Sequence, residues 1–254
     1  MRLRRTAWAL GFVLLTALLS CNPHSWRDPI PMPVPKTAPA AAFTHPIGIQ
    51  FVVVPAGTVN SPYRDLHMPR SMLLSAHEIT NAQYEKSDPK HKRHPASPGD
   101  DHPVNNVTVQ QAEAFCKWLT RNDPHGRLYR LPDPLEWIYA ARGGQDHQPY
   151  PWGDDIDKTK ACYAAKGARP VGSYPPNGFG LYDVAGNVAE WTARDDYPPH
   201  TLRGGSWRED AEGLRFTRLG RLPRKGEPLD HHGFRVYCRP PLLQIAGKTP
   251  AKSR

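Results

Sequence analysis

One run of the chain constrains the rest more than any other: Tyr174 to Trp191, YPPNGFGLYDVAGNVAEW. Gly178, Gly180 and Gly186 stand among large apolar side chains. Glycine at that density lets a backbone bend sharply, take positive φ and admit close neighbours. The run is not a phosphate loop, because no GK[ST] follows and Asp183 and Glu190 would repel an anion. It suits a hard cation, since calcium takes carboxylates and backbone carbonyls from a tightly bent loop. Asp183 and Glu190 offer carboxylates, and the turn from Gly186 to Val188 offers carbonyls. On spacing alone, a glycine-rich turn between core strands is the simpler account, with Asp183 as a turn former and Glu190 as a surface charge.

The 254 residues suffice for one sizeable core or two small ones. Twenty-nine prolines and seven tryptophans argue for a loop-rich domain with aromatic anchors rather than a helical bundle. Formal charge is +9. Arg2, Arg4 and Arg5 belong to a leader, and without them the charge is +6. The remaining basic residues are spread, apart from Lys90–His94 and Lys248–Arg254. A nucleic-acid groove needs a clustered basic face with stacking aromatics, so no nucleic-acid partner is expected.

Residues 1–20 have a basic start and an apolar run from Ala7 to Leu19, too short to span a bilayer and typical of an export signal. The ending Leu18-Leu19-Ser20-Cys21 resembles a bacterial lipobox, which makes Cys21 the lipidated first residue of the mature chain. Asn22 after it suggests the outer membrane by enterobacterial sorting rules. The expected location is periplasmic, tethered by lipid. Residues 21–46 read as a proline-rich linker able to hold a domain up to roughly 70 Å from the membrane. Residues 47–240 read as the domain, and 241–254 as a basic tail.

Cys116, Cys162 and Cys238 remain in an oxidising compartment. No CxxC or zinc spacing is present, so the count implies one disulfide and one leftover thiol. Ile47–Gly57 reads as a strand, and Met72–Tyr84 as a strand followed by a helix capped by Thr80. Val107–Thr120 is the clearest helix: Thr108 and Gln111 form a capping box, and Val109, Ala112, Phe115, Cys116 and Leu119 make one apolar stripe. In Tyr129–Gly144, Asp133 caps a helix that begins at Pro134, Glu136 completes the box and Gly143-Gly144 ends it. Leu202–Trp207 and Gly233–Tyr237 read as core strands.

Taken together, IGIQFVVVPAGT, HEITNAQY, HPVNNVTVQQAEAFCKWL, YRLPDPLEWIYAARGG, YPWGD, PPNGFGLYDVAGNVAEW, LRGGSW and HHGFRV resemble, in order, the motifs of the formylglycine-generating enzyme (sulfatase-modifying factor) family. The resemblance implies an α+β domain related to C-type lectins with little regular secondary structure. Enzymes of that family oxidise a sulfatase cysteine with oxygen and a copper ion held by two thiolates, the soft ligands Cu(I) needs. Counted from Gly204-Gly205-Ser206, those positions fall at Glu209 and Leu214, and Arg218 and Arg221 keep family-like arginines. Copper is therefore not expected. The resemblance turns the calcium reading from weak to favoured, as a structural ion on Asp183, Gly186, Val188 and Glu190. A second family calcium site has no counterpart near Ala161–Gly172. The resemblance also implies a Cys116–Cys238 disulfide, with Cys162 free.

The expected function is a non-catalytic accessory module that binds a protein or peptide. The alternatives are a cysteine-independent oxidative or maturation enzyme using Glu209, His231 and His232, and formylglycine generation from a non-standard site. Lectin-like sugar binding has only the distant fold and the calcium loop behind it.

Overall fold

The computed structural model describes residues 41–60, 65–193, 200–216, 218–220, 222 and 228–239, all within one contact unit that begins at Pro31. The export signal, Cys21, residues 22–40 of the linker, Arg221 and the 241–254 tail lie outside the described residues.

Among the described residues three sheets carry the chain. In the largest, β1 (Phe43–Thr44), β2 (Gln50–Val54), β5 (Met72–Ser75), β10 (Tyr237–Arg239) and β6 (Leu128–Arg130) lie in that order. Every pairing in it is antiparallel. A hairpin joins β3 (Gly57–Val59) to β4 (Leu66–Met68). The third sheet has the order β8 (His200–Arg203), β7 (Ala189–Ala193), β9 (His232–Gly233), with β7 and β9 parallel. The helices are α1 (Asn81–Tyr84), α2 (Val109–Asn122) and α3 (Pro134–Arg142).

The alternation of side chains along a strand gives the large sheet two apolar faces. Phe51, Tyr129 and Cys238 pack with the buried stripe of α2, Val109, Ala112, Phe115, Cys116 and Leu119. Val52, Val54 and Leu74 pack with Trp137, Tyr139 and Ala140 of α3. The helix signals act where the sequence places them. Thr80, Thr108 and Asp133 cap with complete capping boxes, and Gly143 closes α3 at φ 60°.

Three expectations change. The linker is shorter than 21–46, because Phe43–Thr44 already pairs with β2 and Ala42 N donates to Phe51 O at 2.7 Å. Gly233–Tyr237 is not one strand. Gly233 ends β9 in one sheet, Tyr237 begins β10 in another, and Phe234, Arg235 and Val236 cross between them fully buried. The Cys116–Cys238 disulfide is not formed, and Cys116, Cys162 and Cys238 are buried free thiols. Cys116 and Cys238 do share one core cluster. Their sulfurs have different surroundings, however: Cys238 meets the Tyr129 hydroxyl, whereas Cys116 feels Glu113 and Arg130.

Candidate functional site

The glycine-rich run folds around a buried knot of charge. Glu190, on β7, is 1% exposed and so is no surface residue. One of its oxygens accepts from Trp137 Nε1 and Arg235 Nε, each at 2.6 Å, and the other from Arg235 Nη2 at 2.6 Å. The Arg235 guanidinium also donates to Tyr182 O at 2.8 Å and to Ser75 O at 3.3 Å. It thereby ties the large sheet, the glycine-rich run and β7 together.

Two further carboxylates surround this pair. Glu78 accepts from Val188 N at 3.0 Å and Asn187 Nδ2 at 2.6 Å. Asp183 accepts from Gly172 N at 2.6 Å through one oxygen. Its other oxygen is buried with no partner among the described residues. Burial, then the charges of Asp183 and Glu190, push the Glu78 carboxyl well above its ordinary range. Burial likewise raises Asp183 to about 6, against the pull of Gly172 N and Arg235. One guanidinium among three buried carboxylates leaves anionic charge uncompensated, and desolvation then favours the protonated forms. His77, stacked on Tyr182 at 4.5 Å, is held down to about 4 by burial and by Arg235.

The backbone bends here as a cation loop would. Asp183, Gly186 and Asn187 have φ of 54°, 87° and 59°. At Gly186 a Cβ would lie 2.3 Å from the Cys162 carbonyl oxygen, so no larger residue fits. Of the expected ligands, Asp183 fits a calcium ion through its unpartnered oxygen, and Gly186 and Val188 stand in the turn beside it. The Glu190 carboxylate differs from expectation, since both oxygens already accept from Trp137 and Arg235. Among the described residues no group of three or more His, Cys, Asp or Glu side chains is spaced to hold a metal. Any cation there must therefore rely on carbonyls.

The region of the expected copper positions is built from other material. Gly204 and Gly205 turn the chain after β8 with φ of 86° and 68°. The Ser206–Glu209 segment then folds back on itself. Glu209 accepts from Ser206 N at 2.8 Å and from the Ser206 hydroxyl. Leu214 ends a short 3-10 turn, Ala211–Leu214, and is 0% exposed. It packs with Tyr150, Ala161 and Ala185. Arg218 is exposed. Cys162 packs separately, with Trp207, Val188 and Ala168. Its Sγ lies 3.6 Å from Gly167 O, and burial raises its pKa.

Glu209, His231 and His232 do not form one cluster. His232 is 1% exposed, edge-on to Trp191, and driven down to about 3 by burial and by His231. The His231 ring packs edge-on against His232, centroids 4.4 Å apart, and bonds to Asp230, Nδ1 to Oδ1 at 2.9 Å. Asp230 also accepts from Arg208 and lies 3.9 Å from His94 Nε2. Burial alone would raise the Asp230 pKa, but His231 and Arg208 hold it below its usual value. Glu78, Arg235, Asp230 and Arg208 were missed from the sequence. The available signal was a charge inside an apolar motif, as in HEITNA and GFRVY.

Comparison with known proteins places the domain. Residues 42–239 match the sulfatase-modifying factor enzyme 1-like domain. The inactive Cα-formylglycine-generating enzyme 2 of Bos taurus is 36% identical over 182 residues, 59% of this chain and 57% of that protein. The formylglycine-generating enzyme of Mycobacterium tuberculosis is 37% identical over 133 residues, 43% of this chain and 41% of that protein. The chain thus spans about half the length of the curated relatives it matches. Among solved structures, PvdO from Pseudomonas aeruginosa superposes with a TM-score of 0.65 at 25% identity, covering 80% of this chain and 99% of that one. Treponema denticola variable protein 1 superposes with a TM-score of 0.62 at 23% identity, covering 76% and 95%, and speaks for the α+β fold alone.

Proposed function

This chain belongs to the sulfatase-modifying-factor family, and from that premise we propose that it is a member without the copper chemistry. In this reading it is an envelope lipoprotein, anchored at Cys21 in the outer membrane, whose domain docks a protein or peptide as an accessory module. The observation that carries the reading is what stands where the two thiolates would be. Glu209 is a hard oxygen donor already bonded to Ser206. Leu214 is a buried aliphatic group with no donor atom. Cu(I) needs soft ligands, and formation of a mixed disulfide with substrate needs a thiol. Cys162 is a single thiol in a separate apolar cluster. The relatives named as inactive enzymes support the reading in the same sense.

Calcium belongs to the proposal as a structural ion, on Asp183 and the carbonyls of the Gly186–Val188 turn. It would neutralise the uncompensated carboxylate charge around Arg235.

The deciding measurement is incubation of purified protein with Cu(I), oxygen and a sulfatase-type CxPxR peptide, read by mass spectrometry. The peptide is expected to remain unconverted. An aldehyde product would overturn the reading.

A further inference from the structure

Residues 158–182 hold four cations, Lys158, Lys160, Lys166 and Arg169, and no Asp or Glu. It includes Ala161–Gly172, where the family resemblance leads us to expect no second calcium site. It is pinned beside the Ser206–Glu209 turn. Ala164 N donates to Glu209 O and Ala165 N to Trp207 O, and Ala168 N donates to Ala96 O, each at 2.8 Å. The loop therefore borders the indole of Trp207, which packs with Cys162, Ala168 and Tyr174.

Three exposed cations ring this floor. The Arg208 guanidinium lies 4.9 Å from the Trp207 ring. Lys158 sits 3.9 Å over the half-buried Tyr163 ring. The charges of Lys158 and Arg169 both reach Cys162 in the floor, and that of Arg169 reaches Tyr174. Lys160 is only half-exposed and pairs with Asp157. Arg208 gives one Nη2 donor to Asp230, and Lys158 donates to the Tyr163 and Ala164 carbonyls, which engage its protons without neutralising its charge. The acidic groups alongside already have donors: Asp230 accepts from Arg208 and His231, and Glu209 from Ser206. Trp207 Nε1 is buried without a partner among the described residues.

We propose that this floor, with its half-buried Tyr174 ring, the Tyr163 ring of the adjoining cluster and a rim of Lys158, Arg169 and Arg208, is the docking surface for an acidic peptide segment of a partner protein. The proposal rests on the peptide-binding reading above and gives that peptide a chemistry. Aromatic rings supply contact area at low entropic cost, and a guanidinium takes a carboxylate through two parallel N–H donors. A cationic rim acts mainly on partner choice and encounter rate. The same rim would meet the arginine of a CxPxR peptide with like charge.

The test is selection of a random displayed dodecapeptide library on the immobilised full chain, followed by affinity measurement on the winners. Enriched peptides are expected to carry Asp or Glu clusters beside an aromatic or aliphatic residue. The variant K158A/R169A/R208A is expected to bind them about tenfold more weakly, and the exposed-lysine control K90A/K117A as tightly as the parent chain. Enrichment without acidic bias would overturn the acidic-peptide surface and leave the binding reading standing, as would equal losses in both variants. No enrichment of any peptide would overturn both.

Discussion

The buried knot around Glu190 and the turn around Glu209 lie a short stretch of chain apart, yet they follow opposite rules. In the knot Glu190, Arg235 and Glu78 each have two or more partners, Asp183 keeps one oxygen unpartnered, and the central pair reaches across three segments. At Glu209 the carboxylate bonds within its own turn, to Ser206 three residues earlier. The first arrangement ties three segments of the chain together. The second holds one turn in shape. A domain can therefore keep a family's architecture while changing the residues at its chemical positions, because the two sets of side chains carry different loads.

The sharpest way to break this comparison is at Arg235. Replacing it with Met leaves Glu190 buried without its counter-ion, which costs about 3–5 kcal/mol when one partner of a buried pair is removed. Denaturant unfolding of R235M is expected to show a loss of that size. The double variant E190L/R235M should recover much of it, because desolvation of both charges is then avoided. A loss below about 1 kcal/mol in R235M, the level of an exposed pair, would mean that the knot does not hold the sheets together.

Asp183 sharpens the comparison next, because its sign depends on the ion. With calcium bound at a hundred times its Kd, linkage adds about 2.7 kcal/mol. Chelation should then lower Tm by roughly 5–10 °C for a domain of this size, and D183N should be less stable than the parent. Without calcium, Asp183 keeps a buried carboxylate oxygen with no partner. D183N would then be neutral or stabilising, because it removes an unpaired buried charge. Thermal melts with and without EGTA on both proteins decide it. An unchanged Tm in the parent, together with a D183N at least as stable, removes the ion from the account.

What the sequence made legible follows the range of the forces involved. Helix ends at Thr80, Thr108, Asp133 and Gly143 are local chemistry, and their residue types are enough to find them. The apolar stripe of α2 is also local, since it depends only on spacing. The run Gly233–Tyr237 misled because every residue in it is strand-like and buried. Nothing local says that the chain changes sheets at Phe234. Arg235 was hidden for the same reason, as its partners lie 45 to 160 residues away. The thiol positions were found only through the motif order, and Asp230 not at all, because two distant segments bring Arg208 and His94 to it beside its neighbour His231.

The smallest effect expected is at Glu209 itself. If this residue only shapes its turn, E209A loses two hydrogen bonds to Ser206 and should cost about 1 kcal/mol, the usual net worth of such contacts. Glutamine keeps the accepting oxygen, so E209Q should restore most of that loss in denaturant unfolding. Peptide affinity should stay within about twofold of the parent in both variants, since the turn persists and the rim cations are untouched. A stability unchanged in E209A but a binding or chemical activity lost in both variants would place Glu209 among the working groups of the site. The contrast between a knot that joins segments and a turn that only keeps its own shape would then fail at the turn.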